Sequence, residues 1–453
     1  MNFALKQFGL CLVVVGFTLL LSREGYSVGN SPLRAAGEGS PAAEEEITRK
    51  LADLQGQIDR LKEELAQSKK TAAEAAAAKP ESAARAATAA AAPAAPEEKK
   101  VTLQSVLGPT SVSGFVDGYY SLNFNHPRIP MATCNASNCS SYRVFDAPAN
   151  QFSLNYAKIQ LDKTPDAAAS RLGYRLSFGY GNGINVVNAF EPGGLGFAQY
   201  MEEAYLSYLA PVGKNGLQVD FGKFVTPHGA EVIESKDNWN YSRGILFGYA
   251  IPFYHFGIRS KYSWNSKVAL SGFVVNGWNN VIDNNTGKTY GVSLSLNPSK
   301  KLAIAQNYMA GPEMTGTNQN WRQLSDTIVT VNATDKLSFI VNYDYGRGDS
   351  IGLPDPAHWQ GVAGYMRYAF DGKHAFAMRY EWYDDPTGFT TGAAQQLKEF
   401  TGTFEKKIAG NLISRLEYRH DYSNQPTLVK GDSLIGSQDT LAAGLIYVFD
   451  SKE

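Results

Sequence analysis

The sequence has almost no long apolar run. Its one uncharged apolar stretch of note, Phe8 to Leu21, is too short to cross a membrane comfortably as a helix. It follows Lys6, and a basic start before a short apolar segment is typical of a secretory signal. We therefore predict an exported chain with a signal peptide over residues 1–29. No clear Ala-x-Ala marks the cleavage point, so an uncleaved anchor is the alternative.

The chain also lacks an excess of charge of either sign and any catalytic constellation among its six histidines. Lys and Arg number 42 against 43 Asp and Glu, so nucleic acid is not an expected partner. No H-E-x-x-H or phosphate-binding glycine loop occurs. His255 is predicted to lie on an inner wall beside Arg259 and Lys261, where we interpret it as wetted lining. We expect no enzyme, cofactor or metal site.

Cysteine is scarce, with three residues in the whole chain. Cys11 falls in the signal segment, which leaves Cys134 and Cys139 in the exported part. An oxidising compartment favours a disulfide between these two over metal binding by so few thiols.

Alternating strands are what the sequence has in abundance. Between Gly114 and Phe449, runs of about ten residues place apolar side chains at every second position, as in Tyr290, Val292 and Leu294. The runs are separated by short connections near 164–169, 211–215, 265–267, 298–300, 333–335, 371–373 and 409–411. Long connections alternate with them near 126–150, 181–197, 226–251, 279–288, 311–320, 346–357, 384–395 and 421–437.

Fifteen connections of alternating length predict an all-β, antiparallel transmembrane barrel of about sixteen strands over residues 109–453. Fourteen or eighteen strands are the alternatives for the count. A soluble β-sandwich also alternates, but it would not need so regular a loop rhythm. With both termini periplasmic, the odd number of connections places the long set outside and the short set inside.

The region before the barrel has a different pattern. Ile47, Leu51, Leu54, Ile58 and Leu61 recur at spacings of four and three, which predicts a short α-helical coiled coil over residues 44–70. A single amphipathic helix is the alternative. Residues 71–108, rich in Ala and Pro, are predicted to form a spacer.

Tryptophans are expected at the membrane interfaces. Trp264 lies at a short turn, and four others lie where strands enter long loops: Trp278, Trp321, Trp359 and Trp382. A sugar-stacking role is the alternative for Trp239 or Tyr241.

Charged residues recur on the predicted inner faces. The basic ones are Arg171, Arg175, Arg259, Lys261, Arg367, Arg379, Arg415 and Arg419. The third long connection adds Glu231, Glu234, Asp237 and Arg243. If this connection folds inward, its acids would face the basic wall across a constriction and bias which solutes pass. Salt bridges that brace the barrel are the alternative for each residue.

Several short motifs carry a resemblance to a known family. Gly222-Lys223-Phe224 is followed by Gly229-Ala230-Glu231, then by Asn240-Tyr241-Ser242-Arg243 and Asn276-Gly277-Trp278. In this order they resemble the putative beta-barrel porin-2, OmpL-like family of outer-membrane proteins. The resemblance implies a passive channel and carries over no substrate.

The last strand resembles the assembly signal of outer-membrane barrels, so we expect the barrel-assembly machinery to recognise Tyr447 and Phe449. Ala442 and the extension after Phe449 depart from that signal.

From these observations we predict an outer-membrane porin that admits small hydrophilic solutes or ions by passive diffusion. Its expected surroundings are the lipid bilayer and lipopolysaccharide, with a periplasmic N-terminal segment. We expect a homo-oligomer, a trimer by analogy with general porins. The alternatives are an envelope tether that holds the cell wall through the N-terminal helix and an outer-membrane hydrolase.

Overall fold

The computed structural model describes residues 108–129, 138–189, 191, 197–348 and 356–451. The predicted signal peptide, coiled coil and all but the end of the spacer lie outside these residues. Within them the chain forms one closed antiparallel barrel of sixteen strands and a separate two-stranded hairpin. No helix in this part of the chain is long and apolar enough to span a membrane.

The predicted strand count is confirmed. The barrel strands are β1 (Ser111–Asn123), β2 (Gln151–Lys163), β3 (Leu172–Tyr180), β4 (Met201–Ala210), β5 (Leu217–Val225), β6 (Tyr254–Asn265), β7 (Val268–Val275), β8 (Thr289–Ser299), β9 (Leu302–Pro312), β10 (Trp321–Asn332), β11 (Leu337–Gly348), β12 (Ala357–Ala369), β13 (His374–Asp385), β14 (Gln395–Ala409), β15 (Leu412–Ser423) and β18 (Ser437–Asp450). The hairpin between the last two is β16 (Leu428–Lys430) and β17 (Ser433–Ile435). Short helices occur in the loops: α1 (Asn182–Val187), α2 (Ile245–Tyr249) and the 3-10 turns Phe197–Tyr200 and Ser235–Asp237.

The barrel closes between its first and last strands. β1 pairs with β18 from Ser113 opposite Asp450 to Asn123 opposite Thr440. The ladder is extended by the N–H of Ser451, which donates to the carbonyl of Val112 at 2.8 Å. Closure matters because an open sheet edge in hydrocarbon would leave backbone groups without hydrogen bonds.

Strand connections alternate between a short-turn rim and a long-loop rim, as the sequence predicts. We name three of the long loops L1 (residues 124–150), L2 (residues 181–200) and L3 (residues 226–253), and the last one, which contains the hairpin, L8 (residues 424–436). The short turns are tight; in the β6–β7 turn, Asn265 Oδ1 accepts the backbone N–H groups of Lys267 at 2.7 Å and Val268 at 3.1 Å.

The two faces of the wall differ in polarity. On β11 the apolar side chains of Phe339, Val341 and Tyr343 face outward and are exposed, whereas Asn342 and Asp344 point inward and are buried. This period of two is the one that the sequence predicts, and it places an apolar surface outside and a polar one inside.

A β-bulge breaks this alternation on β4. The register between β3 and β4 shifts after Ser177, so that Glu202 and Glu203 are both buried on the inner side. A bulge adds a residue to one strand and re-aims the side chains next to it. Two adjacent carboxylates therefore enter the lumen at one height.

The tryptophan prediction is wrong for Trp359. This side chain points inward, is fully buried, and stacks on Phe389 at a centroid distance of 5.3 Å. Trp278 packs against it edge to face at 6.2 Å. Trp359 lies on the same face of β12 as the inward residues Gly361 and Ala363. The alternation along the strand therefore decides its direction, and its nearness to a long loop does not. Trp321, by contrast, is exposed.

Candidate pore constriction

L3 folds into the barrel and crosses it. It leaves β5 and first binds the wall at β10 and β11, where the N–H of Gly229 donates to Asp326 Oδ2 at 2.9 Å and the N–H of Ala230 donates to Asn342 Oδ1 at 2.8 Å. Asp326 and Asn342 lie near the middle of their strands. The loop is therefore held at mid-height in the lumen.

Arg379 on β13 is the main charged anchor of L3. Its Nη1 donates to Glu231 Oε1 and to the carbonyl of Ser242, both at 2.6 Å, and its Nε donates to Glu399 Oε1 at 2.8 Å. The guanidinium is completely buried. Such a group is stable only when its charge and its donors are matched, and here two carboxylates and a loop carbonyl match them.

Glu381, also on β13, caps the helix α2 of L3. Its carboxylate accepts the N–H of Ile245 at 2.6 Å and that of Leu246 at 3.2 Å, two groups of the first turn that have no partner within the helix. A Cβ on Gly244, the residue before the helix, would lie 2.3 Å from Glu381 Oε1. An added Cβ at Gly244 would therefore have to displace the Glu381 carboxylate that caps the helix.

Two further arginines on β15 hold L3 through its carbonyl groups. Arg415 Nη2 donates to the carbonyl of Asn238 at 2.7 Å and is ion-paired with Glu405 at 2.7 Å. Arg419 Nη1 donates to the carbonyl of Arg243 at 2.8 Å. Arg379, Arg415 and Arg419 are thus buried braces. We predicted them as lining of an aqueous path, and the structure favours the bracing alternative.

L3 is also tied to the wall at β15, β1 and β2. Tyr241 bridges the two strands that flank β18: its N–H donates to Glu417 Oε2 on β15 at 2.6 Å, and its hydroxyl donates to Asp117 Oδ1 on β1 at 2.8 Å. Lys158 on β2 forms an ion pair with Glu234 of L3. L3 is therefore fixed at both sides.

Lys158 bridges two carboxylates, Glu234 of L3 and Glu202 from the β4 bulge. Burial alone would raise the pKa of Glu234. The neighbouring Lys158 ammonium and its hydrogen bond more than offset that effect, so the pKa of Glu234 lies below its ordinary value. Glu234 is therefore charged at neutral pH and remains an anchor there.

The remaining predicted residues of L3 have other surroundings. Asp237 is 53 % exposed, and among the described residues it pairs only with its neighbour Lys236, at 2.6 Å, so the expectation that it faces the basic wall is not met. Arg243 is buried and donates to the carbonyls of Ile233 and Tyr241, so it supports the loop's own backbone.

A water-accessible charged lining lies between L3 and the short-turn rim. Arg175 Nε donates to Asp162 Oδ1 at 2.8 Å, and Arg259 Nη2 donates to Asp220 Oδ2 at 2.7 Å. The two guanidinium groups flank the ring of Tyr205 at 5.8 and 5.4 Å. Across the barrel Arg367 pairs with Glu405 at 3.2 Å, and the inner wall also carries Arg171 and Lys261.

L1 forms a second inward-folded element, which the sequence analysis missed. The ring of Phe145 packs against Phe253 at 5.4 Å and Phe247 at 5.8 Å, and the guanidinium of Arg243 lies 4.6 Å above it. Phe145 is fully buried. L1 therefore rests on the side of L3 that faces the long-loop rim, and the only sequence signal for it was the presence of aromatic residues in a long loop.

His255 lies on the inner wall as predicted, but it is not wetted. It is buried, its ring stacks on Phe273 at 5.4 Å, and its two nitrogens lie 3.1 Å from Thr226 Oγ1 and from the carbonyl of Gly277. Both ring nitrogens are thus occupied within the wall.

Cys139 is buried and disulfide-bonded. Its predicted partner Cys134 lies outside the described residues. Across residues 108–129, 138–189, 191, 197–348 and 356–451, no group of three His, Cys, Asp or Glu side chains could hold a metal ion.

Comparison with known proteins agrees with this architecture. A family model described as putative beta-barrel porin-2, OmpL-like matches residues 109–449. The anion-selective porin from Comamonas acidovorans aligns with a TM-score of 0.50 at 8 % identity, covering 75 % of this chain and 99 % of that chain. The outer membrane channel DcaP of Acinetobacter baumannii aligns with a TM-score of 0.48 at 10 % identity, covering 75 % and 97 %. OmpT of Vibrio cholerae, outer-membrane expressed, gives 0.48 at 12 % identity over 75 % and 97 %. No curated protein matches the chain. At 8 % identity the likeness to the Comamonas acidovorans porin shows the fold alone, and the two alignments with TM-scores of 0.48 carry no argument.

Proposed function

The chain belongs to the putative beta-barrel porin-2, OmpL-like family, and on that premise we propose that it is a passive diffusion channel for small hydrophilic solutes or ions in a bacterial outer membrane. Sixteen strands give a barrel wide enough for an aqueous path where eight would be filled by side chains. The long loops would face outward and the short turns the periplasm.

The observation that carries this proposal is the way L3 is held. A loop that crosses the lumen at mid-height and is fixed by Arg379, Glu381 and Arg415 narrows the barrel at a defined point. Beneath it, Arg175, Arg259 and Arg367 pair with acids and remain partly exposed to water. Paired charges along a hydrated wall favour polar solutes over apolar ones.

The outer surface suits the proposed membrane location. Its strands present apolar and aromatic side chains, among them Tyr343, Phe400 and Leu445, which are exposed and would contact lipid and lipopolysaccharide. Tyr447 is exposed on the same surface. We propose that the barrel-assembly machinery recognises it together with Phe449. A homo-oligomer, with a trimer as the expected size, completes the proposal.

A hydrolase is a weaker reading than a channel. His255 was its one candidate base, and both of its ring nitrogens are engaged within the buried wall. A general base must be within reach of the proton that it removes. We therefore propose that the protein is not an enzyme.

The test is to record current through purified, folded protein in a planar lipid bilayer in potassium chloride. Discrete, long-lived conductance steps are the expected result. Heat-unfolded protein from the same preparation is the control, and the shift of the folded form on a gel without boiling shows that the barrel is intact. Protein that is folded by this criterion and silent in the bilayer would contradict a diffusion channel.

A further inference from the structure

We propose that the lumen holds a binding site for small oxyanions, such as inorganic phosphate, beside Lys261 at the short-turn rim. The structure contains a polar cavity of about 520 Å³ at this point. Its lining comes from the β4–β5 and β6–β7 turns and from the inner faces of β6, β7 and β8: Asn215, Lys261, Ser263, Asn265, Ser266, Val268, Ala269, Ser295 and Asn297.

The lining offers hydrogen-bond donors and one positive charge, and none of its nine residues carries a carboxylate. Local bonds orient one donor toward this role. Asn265 uses its Oδ1 to accept the N–H groups of Lys267 and Val268, so its Nδ2 is the group left to donate. The Nδ2 of Asn215 already donates to the carbonyls of Ser263 and Trp264, so the donors beside the Lys261 ammonium are the amides of Asn265 and Asn297 and the serine hydroxyls. Such a combination binds phosphate or carboxylate oxygens.

Lys261 differs from the other basic groups of this wall because the described residues give it no acidic partner. Arg175 is matched by Asp162 and Glu203, and Arg259 by Asp220. No ion pair involving Lys261 occurs in the part of the chain that the structure describes. Its side chain is exposed in the lumen. The charge of Lys261 is therefore free to act on a solute.

The surrounding rim strengthens the positive field. The three neighbouring short turns, at residues 211–216, 265–268 and 297–301, carry four lysines and no Asp or Glu: Lys214, Lys267, Lys300 and Lys301. Short turns elsewhere on the rim contain Asp166, Asp335 and Asp371. At physiological salt, charge acts over about 8 Å. The sector of the rim around the cavity is thus locally basic although the whole chain is nearly neutral.

This inference rests on the proposed channel function and assigns it a class of solute. A basic, acid-free pocket at one mouth raises the local concentration of small anions and biases passage toward them. The site is expected to bind weakly, since its donors come from exposed side chains, and weak binding allows the solute to leave.

The first experiment measures binding without requiring conductance. Inorganic phosphate is titrated into the detergent-solubilised full chain at low salt, and binding is followed by broadening of the ³¹P signal. K261Q is compared with K398Q, which removes the same charge from an exposed position on the outer face of β14. We expect K261Q to raise the Kd about tenfold, as for loss of a charged hydrogen bond, and K398Q and the charge-preserving K261R to leave it near the wild-type value.

Absence of phosphate binding by the wild type, or equal binding by K261Q and K398Q, would overturn the proposal. In the bilayer, phosphate on the short-turn side is expected to reduce the potassium chloride current through the wild type and K398Q more than through K261Q. A channel that conducts but shows no Lys261-dependent phosphate binding would refute the anion site and leave the channel function standing. Phosphate binding that depends on Lys261, in a folded barrel that conducts no current, would support the anion site and refute the channel function.

Discussion

Replacing Arg379 with Ala should release L3 from the wall while the barrel stays closed. Arg379 is fully buried and makes hydrogen bonds to Glu231, Glu399 and the carbonyl of Ser242. Its removal leaves two carboxylates buried without this partner. Breaking a buried ion pair in this way costs about 3 to 5 kcal/mol.

The expected cost falls on the docking of L3 more than on the barrel. The strand ladder around Arg379 is made by backbone groups, which the substitution does not touch. A loss of about 3 to 5 kcal/mol shifts the balance between docked and undocked L3 by roughly two to more than three orders of magnitude. In the variant, L3 would therefore be undocked from the wall for a much larger fraction of the time.

The assay combines single-channel recording with limited proteolysis. In R379A we expect a higher mean conductance, more current noise and faster cleavage within residues 226–253. Arg347→Ala is the matched control, since Arg347 is exposed near the long-loop rim. A double-mutant cycle with Glu231→Ala should give less than additive effects, because the two residues share one contact. If R379A folds and matches R347A in conductance, noise and cleavage, the bracing role is refuted.

Three other predictions follow from the same contacts. Gly244→Ala should displace α2, because its Cβ would lie 2.3 Å from Glu381 Oε1, and cleavage of L3 should accelerate; Gly364→Ala, with nothing within 4 Å of the added Cβ, is the control and should behave as wild type. Phe145→Ala should loosen L1 from L3 at a local cost of about 3 to 5 kcal/mol and raise conductance, whereas Phe152→Ala, at a side chain 87 % exposed, should not. Equal conductance of the two variants would argue that the packing of L1 on L3 does not narrow the lumen. Deleting residues 44–70 should weaken the oligomer without opening the barrel, and an unchanged subunit mass by light scattering, with the barrel intact, would count against the coiled coil.

The wall of the barrel could be predicted from the sequence because its signals are local. An alternation of two residues sets which side chains face lipid, and the lengths of successive connections set the topology. Tyr290 and Val292 are two of the alternating apolar residues named from the sequence, and both are exposed on the outer face. Trp359 obeys the same alternation. It lies at an inward position of β12, although its nearness to a long loop suggested a place in the outer aromatic girdle.

The filling of the lumen could not be predicted to the same depth. Glu202 and Glu203 both point inward because of a bulge, and a bulge changes the alternation without leaving a clear mark in the sequence. L1 folds into the barrel because Phe145 packs there against Phe247 and Phe253 of L3. The length and composition of a loop do not predict which residues its aromatic side chains will pack against.

The class of fold, the number of strands, the positions of the turns and the face of each side chain outside the β4 bulge can therefore be predicted from the sequence, because these depend on neighbours a few residues apart. Which charges brace L3 and which remain open to water follows from the closed barrel and cannot be read from the sequence. Arg379 and Glu231 are 148 residues apart in the chain, and Arg415 and Asn238 are 177 apart. The wall brings such pairs together only when the sheet closes, and burial there turns three predicted lining arginines into supports while Lys261 keeps its charge exposed.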